Sequence, residues 1–355
     1  MGEDVWVNVR RRWLAAVLML AVLGPCVLPA SAEGGRPLEE PGTAHAREVG
    51  VSMIRPNIGL AQKPPSVSSQ GQWYWITPPT GGKRLEALAQ GGDTLVAVLN
   101  PGGTKVITPG RSTTIISHDG REWSAGEITA GGIYSHLAYG NGLFVAVGRG
   151  VSGARGGTIA TSSDGVRWAE NATTMHELTH VFYGDQMFVA LGLRGTIVSS
   201  RNGADWSEST TESSGHLYAG AYGDNTFVLA GDVSIVTSPD TSHWTRHPNQ
   251  DLGLPFGLRH LVFGNNSFLL LHDHALFMSA KGTYWRRNTI DLRSREVVYT
   301  QKTFFASGDD GTVLTSATGT HWEKGPKVLE VVGGVNCHTR RCIVLGKRIL
   351  LIGPE

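Results

Sequence analysis

One short phrase returns along this chain and restricts its fold more than any other feature. "SHDGREW" ends at Trp123 and "SSDGVRW" at Trp168; "SRNGADW", "SPDTSHW", "SAKGTYW" and "SATGTHW" then end at Trp206, Trp244, Trp285 and Trp322. Upstream, "SQGQWYW" ends at Trp75. Successive Trp separations are 48, 45, 38, 38, 41 and 37 residues. A period of about 40 residues marks an array of supersecondary units, each too small to bury its own apolar face.

Each period has the same internal order. A short apolar segment ends in an aromatic and glycine ("HLAYG", "HVFYG", "GAYG", "HLVFG"). A second follows ("LFVAVG", "MFVALG", "TFVLAG", "SFLLLH", "TFFASG") and then a third ("GTIATSS", "GTIVSS", "VSIVTS", "ALFMSA", "GTVLTS"). The corner comes next, with its Trp opening a fourth segment. These segments are β-branched, about five residues long, and separated by Gly and Asn/Asp turns, so they read as strands. No segment sustains a helical period. The 47 glycines and 17% charged residues fit many turns and few exposed helices. Four antiparallel strands per period, arranged about a centre, predict an all-β fold: a seven-bladed β-propeller over residues 69–355. After Trp322 only three strands remain ("VLEVV", "CIVLG", "RILLIG"), so the N-terminal "GQWYWIT" is expected to close the last blade.

The corners resemble degenerate Asp-box (BNR-like) repeats, with one residue fewer between Asp and Gly than the usual box. Asp119, Asp164 and Asp240 keep the acid, Asn202 stands in a related corner, and Lys281 and Thr318 hold the comparable places. The resemblance implies a propeller of the sialidase-like, sortilin-like or photosystem-assembly-factor-like kind. It does not imply one chemistry, because functions on this fold are diverse. Nor does a catalytic acid need near-copies around a ring. Asp119, Asp164 and Asp240, with Trp123, Trp168, Trp206, Trp244, Trp285 and Trp322, therefore read as structural corner residues.

The N-terminus is of another kind. Arg10, Arg11 and Arg12 precede an apolar run from Trp13 to Leu28, followed by Ala30-Ser31-Ala32. This is the form of a secretory signal over residues 1–32, with a Pro-, Gly- and Ser-rich leader over 33–68. The run is too short and too interrupted for a membrane span. The expected location is exported, periplasmic or secreted. There the cross-hairpin pair Cys337 and Cys342 would form a disulfide. The balance of 31 basic against 30 acidic residues gives no basic patch for nucleic acid.

Candidate functional residues lie away from the corners. The turns between second and third strands share one rim with the blade-to-blade links. That rim offers Arg149, Arg155, Arg194, Asp232, His272, His274, Asp309 and Asp310 for partner contacts. A second set shares one phase, four residues before the end of an innermost strand: His136, His180, His260 and Glu296, with Ala219 interrupting the series. Three imidazoles and a carboxylate there would suit a divalent metal or acid–base work, although no metal or cofactor is assigned. The arginine triad and Tyr–Glu pair of sialidases are not found, nor a phosphate loop, a G-x-S-x-G elbow or an H-E-x-x-H pair. The expectation is a monomeric, non-catalytic platform that binds a protein or glycan. A carbohydrate-active enzyme using rim carboxylates or channel histidines is the alternative.

Overall fold

The computed structural model describes residues 74–76 and, with short breaks that include 102–110, 152–155 and 249–257, residues 80–352. The signal and leader expected over 1–68 lie outside the described residues. Every sheet has four antiparallel strands. Six blades each use four consecutive strands, and their innermost strands are Arg84–Gly91, Gly132–Gly140, Leu178–Gly184, Leu217–Gly223, Leu258–Gly264 and Ser294–Thr300. These define blades one to six.

The remaining sheet is assembled differently. Val331–His338, Arg341–Gly346 and Leu350–Ile352 supply three strands, and Tyr74–Ile76 supplies the fourth, with Tyr74 opposite Ile352. Val331–His338 contacts the inner strands of blades six and one, so this sheet closes the ring. The expected seven-bladed propeller is corrected accordingly: there are six blades of four consecutive antiparallel strands, closed by one composite sheet from the two ends of the chain. The difference lies in the corners. Six Ser–Trp phrases join a third to a fourth strand, whereas Trp75 sits inside the short strand Tyr74–Ile76. The N-terminal strand does complete the last sheet. In that sheet Cys337 stands directly opposite Cys342. No disulfide is present among the described side chains. No helix among the described residues is long and apolar enough to cross a membrane.

The corner phrase works as follows. Ser162 Oγ accepts the Gly165 N–H at 2.8 Å, and the Trp168 indole N–H donates to the Gly165 carbonyl at 2.9 Å. The same pair of bonds recurs at Ser117/Trp123, Ser200/Trp206, Ser238/Trp244, Ser279/Trp285 and Ser316/Trp322. Where an acid or Asn follows, its Oδ1 accepts backbone N–H groups: Val166 and Arg167 on Asp164, Ala204 and Asp205 on Asn202. Those bonds stabilise the carboxylate and hold the Asp164 carboxyl below its ordinary pKa. The bend requires a left-handed residue, which explains the glycine (φ 75° at Gly165, 72° at Gly203). Blade four departs from this by placing Thr241 there, at φ 67°.

Corners also connect blades. Thr114 donates to the Gly165 carbonyl, Asn171 to that of Gly203, Ser209 to that of Thr241 and Asn288 to that of Gly319, each from the preceding blade. The aromatic–glycine ending has a matching cause. A Cβ on Gly140 would lie 2.1 Å from the Tyr183 ring, and one on Gly223 would lie 2.0 Å from Phe263. Each aromatic thus lies flat on the preceding blade's glycine. It also packs on the Phe of its own second strand, as with Tyr183–Phe188 at 4.7 Å between ring centroids. Apolar clusters therefore run between blades. One joins Val145, Val147 and Ile159 of blade two to Leu178, Phe188 and Val198 of blade three, with Trp206 against it. Burying one such Phe is worth roughly 2–3 kcal/mol, and the contact exists only when two blades are in place.

Candidate functional site

The innermost strands have a device the sequence did not show. Each carries a register shift three to six residues before its end: between Tyr134 and His136, Leu178 and His180, Leu217 and Ala219, and Leu258 and His260. Blade one repeats it between Leu85 and Ala87, and blade six between Ser294 and Val297. An extra residue bends the strand and re-aims the next side chain. The skipped residues in blades two and three also bond across the ring: Ser135 donates to the Leu178 carbonyl and Thr179 to that of Leu217.

The residues just after the shifts are the histidines singled out by phase, and in the fold they converge. The ligand nitrogens of His136, His180 and His260 all lie within 4.8 Å of one another. Ring centroids are 3.9 Å apart for His136–His180 and 5.7 Å for His180–His260. His180 is only 5% exposed, and the other two are half-buried. His180 and His260 belong to blades three and five. Blade four lies between them, and its residue at the equivalent position is the small, buried Ala219, packed with Ala221 and Leu261. Glu296 falls inside the register shift of blade six, between Ser294 and Val297.

Burial and mutual repulsion keep these rings neutral. Desolvation, followed by the neighbouring His260, pushes His136 down to about 3. Burial alone pushes His260 down to about 4, and His180 falls well below its ordinary value through burial and both neighbours. Weak opposing contributions come from the next inner strand, at the backbones of Val181, Gly220 and Val297. The Val181 N–H donates to His136 Nδ1 at 3.4 Å.

The rim residues behave differently. Arg149 is exposed at the end of a second strand. Arg194 is exposed and left-handed (φ 57°), and its N–H donates to His216 Nδ1 at 3.1 Å. Asp232 accepts the His216 N–H at 2.8 Å and returns its own N–H to the His216 carbonyl. Leu193 N–H donates to the Glu177 carbonyl. Turns and links of blades three and four therefore form one knitted arc. His216, its hub, was not anticipated from sequence, although it precedes an inner strand just as other link residues do. Met175 (78% exposed) and Val233 (43%) stand on the same face and add apolar surface. His272 ends the second strand of blade five, half-buried and away from this arc. Arg155, His274, Asp309 and Asp310 lie outside the described residues.

No protein-family model matches the chain, and no curated protein matches it. Among solved structures it is similar to YCF48 from Cyanidioschyzon merolae, at 15% identity over 80% of this chain and 98% of that one, with a TM-score of 0.57. It is also similar to YCF48 bound to a D1 peptide (14% identity, 82% and 99% covered, TM-score 0.62). Virginiamycin B lyase from Staphylococcus aureus is a third such structure (6%, 81% and 100%, TM-score 0.65). Identities this low show the shared β-propeller fold and nothing finer.

Proposed function

We propose that this chain is an exported, non-catalytic propeller that presents a rigid face to a protein partner. The observation that carries the reading is the hydrogen-bonded arc Glu177–Leu193–Arg194–His216–Asp232, flanked by exposed Met175 and Val233. Its backbone is ordered before any partner arrives, so little conformational entropy remains to be lost on binding. It combines apolar area with a guanidinium and carboxylates, the mixture that protein contact surfaces use. The likeness of fold to a peptide-bound YCF48 supports the same reading. Export rests on the basic, apolar, Ala-Ser-Ala start of the sequence, and the recurring Ser–Gly–Trp corners support an Asp-box-like reading of the repeats.

The test is affinity capture from the exported fraction with the parent protein, a Met175→Asp/Arg194→Glu variant and a Tyr284→Asp variant. Tyr284 is 90% exposed on the corner face and serves as the control. A partner kept by the parent and by Tyr284→Asp but lost by the double variant supports the proposal. Turnover on a polysaccharide panel, with no protein captured through the arc, would establish the carbohydrate-active alternative instead.

A further inference from the structure

The three histidines suggest an activity that a purely mechanical platform has no use for. We infer that His136, His180 and His260 form a site for one divalent transition-metal ion of the zinc class, with a fourth coordination position left to water or a ligand. The geometry fits. With no two ligand nitrogens more than 4.8 Å apart, some point lies within about 2.8 Å of all three (4.8/√3). Zinc–imidazole bonds are about 2.0–2.1 Å long, so each ring must close in by at most about 0.7 Å. That is a side-chain adjustment, not a backbone movement.

The donor set selects the ion class. Three imidazole nitrogens, with no carboxylate beside them among the described residues, suit Zn²⁺, Co²⁺, Ni²⁺ or Cu²⁺ better than Ca²⁺ or Mg²⁺. Binding through His136 Nδ1 gives up only the long 3.4 Å contact from the Val181 N–H, and binding through Nε2 keeps it. The ligands come from three separate inner strands, each placed by its own register shift. Blade four contributes no ligand, having Ala219 at the equivalent position. A purely structural histidine would need only its one backbone contact, and it would gain nothing from two other bases beside it in a buried place. A metal ion would use all three lone pairs at once.

The test uses the full chain, stripped with chelator and titrated calorimetrically with Zn²⁺ alone, then with Co²⁺ in an absorption experiment. One Zn²⁺ per chain and a Co²⁺ spectrum of tetrahedral character are expected. His136→Gln and His260→Gln should each weaken Zn²⁺ binding by more than about 100-fold, the upper end of what losing a mere supporting contact costs. His321→Gln, on the exposed corner of blade six, should leave it unchanged. His180→Gln is the most buried of the set. If it fails to fold, the two half-buried variants decide, provided their circular dichroism and melting in chelator match the parent. Less than one ion per chain, a six-coordinate Co²⁺ spectrum, or unchanged affinity in both variants would overturn the site.

Discussion

Acid should unfold this protein through its central histidines, and the size of the effect follows from their burial. In the unfolded chain each imidazole takes up its proton near pH 6.5, whereas in the fold His136 resists protonation down to about 3 and His260 down to about 4. Between those limits the unfolded state binds more protons, so stability falls as pH falls. The loss begins below pH 6.5 and levels off once the folded-state values are passed. At about pH 4.5 the gap from 6.5 is two units, or roughly 2–3 kcal/mol for each ring and about 5 kcal/mol for the pair. His180 adds in the same direction. That is a large fraction of the 5–15 kcal/mol by which a typical domain is stable. Urea unfolding in chelator at pH 7.0 and 4.5, on the parent and on His136→Gln, isolates the effect, because carboxylate contributions are common to both proteins. The difference in unfolding free energy between the two pH values should shrink by roughly 2–3 kcal/mol in the variant. An unchanged difference would refute the claim that burial holds this ring neutral.

Other consequences can be measured on the same scale. Thr241→Gly should change stability in urea by less than about 1 kcal/mol, since relief of the left-handed penalty at φ 67°, which the other five corners avoid with glycine, is offset by loss of the buried Thr241 hydroxyl bond to Ser199 Oγ. Gly140→Ala should cost roughly 2–3 kcal/mol, because its Cβ would enter the Tyr183 ring, while Gly142→Ala, with open space around it, should cost only the smaller price of φ 76°. Ser162→Ala removes the acceptor for the Gly165 N–H and should lower stability by roughly 1–2 kcal/mol, read as a shifted denaturation midpoint. If the chain is exported as proposed, mass spectrometry of the mature protein without reduction should show Cys337 and Cys342 resistant to alkylation, and reduction should release both.

Much of this architecture is legible locally. The Ser–Gly–Trp corner, the aromatic–glycine strand ending and the Asn and Asp turns depend on residues within three or four positions of one another, and their recurrence gives the strand order. The phase of His136, His180 and His260 is visible for the same reason. What those residues do is not local. His136 and His260 are separated by three blades' worth of sequence, and they meet only because closing blades bring inner strands together and each histidine follows a register shift. The shift leaves no composition signal, since Ser135, Thr179 and Tyr218 are skipped alike. The corners account for six blades, and the incomplete last repeat pointed to the N-terminal strand, but the register of Tyr74–Ile76 on Leu350–Ile352 is set only in the fold. Sequence alone determined the repeating unit, because hydrogen bonds and packing within one unit specify it. Closure of the ring and assembly of the histidine site were decided by tertiary structure, where side chains distant along the chain share one buried place.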